Sequence, residues 1–223
     1  MEMKKSSSIL VNKNTITSIA IGGFDGMHSA HQELFKNLDK KGAILSIESG
    51  YANLTPKRYR QEYSIYPIYY YVLENIKHLE GDEFIRLLKE EFPNLKKIVV
   101  GFDFCFGKNR KYCIEKLKEL FIGEVLVIDE IKIDDIPVHS RIIREYLKDG
   151  NIKIANKLLG KEYKIYGHQI KGQGLGTKSF VPTINLKIEE FLLPQEGVYV
   201  TKTILDDKEF NSITFLGHRA TTD

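Results

Sequence analysis

The chain has 223 residues, of which 42% are hydrophobic and 28% charged, and a formal net charge of +3. That is enough for one large domain or two modest ones around a real core, and the near-neutral balance, with no long basic run, argues against a dedicated nucleic-acid binder. No apolar run approaches the ~18 residues that span a membrane, the opening MEMKKSSSILVNKN has no apolar stretch of the secretory kind, and Cys105 and Cys113 are too few for a disulfide framework. These features lead us to expect a cytoplasmic protein with two buried or free thiols.

The first two-thirds of the chain alternates strand-like and helix-like segments, the signature of a parallel α/β sheet. Ser18–Gly22 reads as a strand. Residues 28–41 follow as a helix with Leu34, Phe35 and Leu38 on one face, and 43–48 as a second strand. Residues 51–67 are polar and irregular. Residues 69–76 are aromatic and β-branched, which favours a strand. A helix is expected over 82–92, capped by Asp82 and stopped near Pro93. A buried strand over 97–100, a helix over 112–121 and a strand over Glu124–Ile128 come next. Ser140–Lys148 and Ile152–Leu159 read as short helices parted by the stop signal Gly150-Asn151. From about Lys161 glycines and prolines crowd in and short β-type runs appear at 197–204 and 212–216, so an all-β unit is expected after a boundary near residue 160.

The stretch IGGFDGMHSAHQEL carries the strongest chemical signal. It runs strand, Gly-rich turn, helix, which sets free backbone N–H groups and the positive helix end beside a bound anion. Gly22, Gly23 and Gly26 allow close backbone approach. His28 and His31 lie three apart, so both are expected to project from one face of the first helical turn. Two imidazoles aimed at one anion can donate hydrogen bonds to a phosphate as charge builds in a transition state.

This GxFDGxHxxH arrangement resembles the HxGH signature of the nucleotidyltransferase superfamily, in the variant found in FMN adenylyltransferases; Ala30 stands where that family has a glycine. VGFDFCFGKNRK resembles the same family's GxDFxFGxxRxG element, with Gly101, Asp103, Phe104, Gly107 and Arg110 matching. PVHSRIIREYL resembles its ISSTxIR helix start, with Ser140 and Arg144 matching and His139 and Arg141 departing. GHQIKGQGLGTKSFVPTINL resembles the phosphate loop and PTAN motif of riboflavin kinases, through Gly167, Gly172, Gly174, Gly176, Pro182, Thr183 and Asn185. LLPQEGVYV and FLGHRATT match that family's next strands. The chain is thus similar, in order and over nearly its whole length, to the bifunctional riboflavin kinase/FMN adenylyltransferase family.

The resemblance implies a Rossmann-like nucleotidyltransferase domain with a parallel sheet over residues 1–160 and a partial antiparallel β-barrel of riboflavin-kinase type over 161–223. It implies FAD synthesis from FMN and ATP with release of pyrophosphate, aided by Mg²⁺, with riboflavin kinase activity residual or absent because the family's kinase barrel continues past the position of Asp223. His28, His31, Ser140 and Arg144 would serve catalysis. Gly22, Gly23, Phe24, Asp25, Gly26, Gly101, Asp103, Phe104, Arg110, Gly172, Gly174 and Gly176 would hold nucleotide and flavin, and Thr183 and Asn185 would offer oxygens to Mg²⁺. Small molecules are the expected partners, without nucleic acid or membrane. Two alternatives stay open: transfer to another phosphate acceptor on the same fold, and a non-catalytic flavin- or nucleotide-binding protein.

Overall fold

Ser18–Gly22 (β1) is a short apolar run, and it becomes the middle strand of a five-stranded sheet. A run without alternation fits a strand covered on both faces, and β1 is buried throughout except at Gly22. The structure is a computed structural model that describes residues 12–170 and 183–217. β1 leads into helix Ser29–Lys36 (α1), which is shorter than the expected 28–41. The helix stops because the Asn37 N–H turns back to the Leu34 carbonyl and the Leu38 N–H to the Phe35 carbonyl. A tight turn then begins at Asp39, whose carboxylate accepts from the Thr17 hydroxyl and whose carbonyl accepts from the Gly42 N–H.

Strand Gly42–Glu48 (β2) follows, then a 3-10 helix at Lys57–Tyr63 inside the stretch expected to be irregular. The aromatic run expected as one strand splits into strand Ile68–Val72 (β3) and a single turn of helix, Leu73–Ile76 (α2). Helix Gly81–Glu91 (α3) begins one residue earlier than expected. Its cap is Glu80, not Asp82, because Glu80 and Glu83 form a reciprocal capping box. Strand Lys97–Gly101 (β4) leads into the two-residue strands Cys105–Phe106 (β5) and Tyr112–Cys113 (β6), then helix Ile114–Leu120 (α4) and strand Glu124–Ile128 (β7). The helix expected over 112–121 therefore loses its first two residues to the β5–β6 ribbon. Cys105 and Cys113 face each other across that ribbon and are joined in a disulfide, which corrects the expectation of two separate thiols. Strands Lys132–Ile133 (β8) and Ile136–Pro137 (β9) close a small hairpin.

All four pairings in the large sheet are parallel, in the order β3-β2-β1-β4-β7. Alternate residues of β1 feed opposite faces. Ile19 and Ile21 join Phe84, Ile85 and Leu88 of α3 and Leu117 of α4, while Ala20 joins Leu34 and Phe35 of α1. The sheet is thus covered by helices on both sides.

The chain divides into two compact units, Met1–Val138 and His139–Asp223. In the second, helices Ser140–Lys148 (α5) and Ile152–Leu159 (α6) pack on each other. Beyond them, strand His168–Ile170 (β10) pairs antiparallel with Asn185–Lys187 (β11), and Gly197–Leu205 (β12) with Lys208–Leu216 (β13). Asp206 and Asp207, both at positive φ, make the two-residue turn of the second pair. The strands of this unit are thus paired antiparallel, as expected of an all-β unit after the boundary.

Candidate nucleotide site

In a doubly wound parallel sheet, ligands bind beyond the carboxyl ends of the strands, where the winding reverses. Here β2 and β3 lie on one side of β1, and β4 and β7 on the other. The reversal therefore falls between β1 and β4. The turn carrying Gly22, Gly23, Phe24, Asp25 and Gly26 leaves β1 at that edge, and the segment carrying Gly101, Asp103 and Phe104 leaves β4.

The turn after β1 is tightly determined. Gly26 sits at φ +86°, which suits glycine, but Phe24 and Met27 are held at φ +49° and +44°. Left-handed backbone at non-glycine residues is costly and persists only where the surroundings enforce it. Both side chains are buried, and the Phe24 ring meets Phe35 edge-on at 5.0 Å and His31 at 5.1 Å.

His28 does not lie within the first helical turn, as expected, but just before it, in extended conformation, because its Nδ1 accepts the His31 N–H at 3.4 Å and so caps α1. The two imidazoles are brought together nonetheless. They stack with centroids 3.4 Å apart and planes 19° from parallel. Only 3% of His28 is exposed, whereas His31 is half-buried. The geometry divides the pair: His28 shapes the helix start, and His31 is the more accessible of the two.

Asp25 is buried, and its carboxylate accepts backbone N–H bonds from Asn53, Leu54 and Thr55 at 2.9–3.2 Å. It ties the segment after β2 to the phosphate turn. The return tie is a residue that sequence reasoning missed. Arg60 is fully buried, and its guanidinium donates to the Thr55 carbonyl at 2.9 Å, the Gly23 carbonyl at 3.2 Å, Ser46 Oγ at 2.6 Å and the Glu48 carboxylate at 2.5 and 3.3 Å. Ser46 Oγ also reaches the Gly23 carbonyl, at 3.2 Å. An arginine in an irregular polar stretch carries no periodic signal, so nothing in the sequence marks it as buried. The same pocket affects Tyr70, whose phenol is pushed up to about 12 by burial, with Arg60 opposing and Glu48 reinforcing the shift.

After β4 the chain makes a turn. Phe102 is exposed, whereas Phe104 and Phe106 stack at 5.8 Å and Phe106 enters the core. Arg110 is exposed, at φ +55°, and donates to the Asp103 carbonyl at 3.5 Å, which folds the loop back on its own start. Gly107, at φ +71°, leaves room for the Tyr112 ring; a Cβ there would lie 2.5 Å from it. Tyr112 in turn hydrogen-bonds Glu80, which raises its phenol pKa.

In the second unit, Ser140 is the first residue of α5 and His139 occupies the cap position. Arg144 follows one turn later and is half-buried. Thr183 and Asn185 are exposed at the start of β11. Thr183 lies two residues before the first residue of β11, Asn185, and the pair offers a hydroxyl and an amide oxygen. Hard neutral oxygens of this kind suit Mg²⁺ that arrives with phosphates and keeps waters. Among the described residues no group of three or more His, Cys, Asp or Glu could hold a metal by itself. Gly172, Gly174 and Gly176 lie outside the described residues. Among the described residues, no helix is long and apolar enough to cross a membrane.

Comparison with known proteins bears on this arrangement. A riboflavin kinase family model matches residues 159–223. The chain is 31% identical over 231 aligned positions to a bifunctional riboflavin kinase/FMN adenylyltransferase of Buchnera aphidicola subsp. Schizaphis graminum, covering 92% of this chain and 74% of the relative. It is 27% identical to the protein of the same name from Haemophilus influenzae, covering 92% and 75%. Among solved structures, one described as a macrolide-efflux protein from Streptococcus pneumoniae superposes with a TM-score of 0.82 at 25% identity, over 93% of this chain and 76% of that one.

Proposed function

The chain belongs to the bifunctional riboflavin kinase/FMN adenylyltransferase family, and from that premise we propose that it makes FAD from FMN and ATP. The observation that carries the reading is the pair of stacked histidines behind a strained Gly-rich turn, at the edge where the parallel sheet reverses its winding. A phosphate oxygen of FMN attacks the α-phosphorus of ATP. The new P–O bond forms as the bond to the β-phosphate breaks, and pyrophosphate leaves with the electron pair. No covalent enzyme intermediate is needed, so positioning and charge stabilisation supply the rate.

His31 donates to the triphosphate near the reacting phosphorus, while His28 fixes the helix start whose N–H groups face the same anion. Asp25 acts by holding the 53–55 segment against the turn. From their motifs alone, Ser140 and Arg144 are assigned to pyrophosphate, Gly101, Asp103, Phe104 and Arg110 to the flavin side, and Gly172, Gly174 and Gly176 to the second unit's phosphates. Mg²⁺ would supply charge neutralisation along the phosphates, with Thr183 and Asn185 as protein oxygens in the second unit. We assign the transferase to residues 1–160 and the kinase-like part to 161–223, in a cytoplasmic protein.

Riboflavin phosphorylation is expected to be residual or absent, because Thr183 and Asn185 are exposed and the apolar side chains Val198, Val200, Ile213 and Phe215 of β12–β13 face solvent. The test is turnover with ATP and Mg²⁺, followed by chromatography of the flavins. FMN is expected to become FAD, and riboflavin to stay unchanged. FMN left unconverted would remove the transferase reading; riboflavin converted to FMN would remove the second.

A further inference from the structure

The guanidinium of Arg60 takes no part in the transfer chemistry above, yet it binds the backbone of the phosphate turn. Gly23 is exposed, but its carbonyl is turned inward, 3.2 Å from both Arg60 Nη1 and Ser46 Oγ, which it shares with the Glu48 carboxylate at 2.5 and 2.9 Å. In a trans peptide the C=O and the next N–H point in opposite directions, and the chain has no cis peptide among its described residues. Pulling the Gly23 oxygen inward therefore sends the Phe24 N–H outward.

This orientation is not the relaxed one. Phe24 stands at φ +49°, a region that side-chain-bearing residues avoid. Rotating the Gly23–Phe24 peptide by half a turn would return Phe24 to ordinary negative φ, and Gly23, lacking a Cβ, would tolerate the change. What opposes the flip is the loss of the Gly23 oxygen's contacts with Arg60 and Ser46. A lysine could not replace Arg60, since one ammonium cannot reach Thr55, Gly23, Ser46 and Glu48 together. Glu48 balances the charge, so Arg60 can remain buried.

We propose that Arg60, with Ser46, is a positioning residue for the nucleotide phosphates: it locks the Gly23–Phe24 peptide in its strained orientation, so that the Phe24 N–H is presented to the triphosphate. This rests on the FAD-synthesis reading, and the following experiment separates the two. Ser46→Ala and Arg60→Lys are compared with wild type in steady-state FAD synthesis, varying ATP and FMN separately. Binding of inorganic tripolyphosphate is measured by calorimetry. A double variant, Glu48→Leu with Arg60→Met, removes the clamp without stranding a buried charge.

A misplaced donor costs roughly 10–100-fold. We expect the ATP KM to rise and kcat to fall within that range, with the FMN KM unmoved and tripolyphosphate affinity falling in parallel. Variants that melt earlier but keep the wild-type ATP KM and tripolyphosphate affinity would show Arg60 to be structural only and overturn the proposal. Should Arg60→Lys fail to fold, Ser46→Ala and the double variant still read the clamp. Wild-type protein that binds tripolyphosphate but makes no FAD would defeat the functional reading instead, and the calorimetric comparison would still decide the role of Arg60.

Discussion

At the scale of single residues, the two histidines illustrate how a motif can be legible while its division of labour is not. Their spacing marks both as phosphate ligands, but only the structure shows His28 spent on capping and buried, with His31 stacked above it. His31→Ala is therefore expected to lower FAD formation by about 100-fold or more, in line with loss of a transition-state donor, while leaving FMN binding intact. Normal turnover by a folded His31→Ala protein would refute the phosphate role. Lys161 gives a different kind of test. Burial lowers its ammonium pKa from 10.5 to about 8. Between those values the unfolded chain holds a proton that the folded chain has released, so raising the pH through that window favours folding. Urea melts from pH 8 to 10 should show this gain, and Lys161→Met should diminish it. Above pH 10 the buried phenols of Tyr70 and Tyr71, both pushed up to about 12, act in the opposite sense and end the useful window.

At the scale of elements, the central strands of the parallel sheet were readable because they are buried on both faces and appear as unbroken apolar runs, and the partly buried edge strand β7 keeps such a run; β1 and β7 match the expected bounds. Helix ends were less readable, since they depend on side-chain bonds across one turn. Glu80 and Glu83 outcompeted Asp82 for the start of α3, and Asn37 ended α1 early. The β12–β13 hairpin was seen only in part. Its second strand begins at Lys208, four residues before the expected start at Ser212, because the exposed stretch from 208 to 211 shows no one-sided pattern. Its turn chemistry was the available signal: Asp206 and Asp207 at φ +49° and +61° form a two-residue turn of the kind that favours glycine second. Asp207→Gly is accordingly expected to stabilise the hairpin by up to about 1 kcal/mol, seen as slower amide exchange along β12 and β13. Unchanged exchange there would mean that the aspartate bears no strain.

At the scale of the whole molecule, what the sequence conveyed was the order of motifs, and the parallel sheet explains why that order works: segments far apart in the chain leave adjacent strands at one edge. Hidden from it were the interior polar contacts, Asp25 to the 53–55 backbone and Arg60 to Gly23, which join stretches some 30 residues apart with no periodic trace. The cysteine pair was hidden for a related reason, since its two members meet only once the β5–β6 ribbon forms. That crosslink has a practical consequence. Lys108, Arg110 and Lys111 are exposed and lie inside the ring closed by Cys105 and Cys113, on a loop of the kind that proteases nick first. Limited trypsin treatment should cut there, yet the product should still migrate as one intact chain until a reductant is added, whereupon it parts into an amino-terminal and a carboxy-terminal piece.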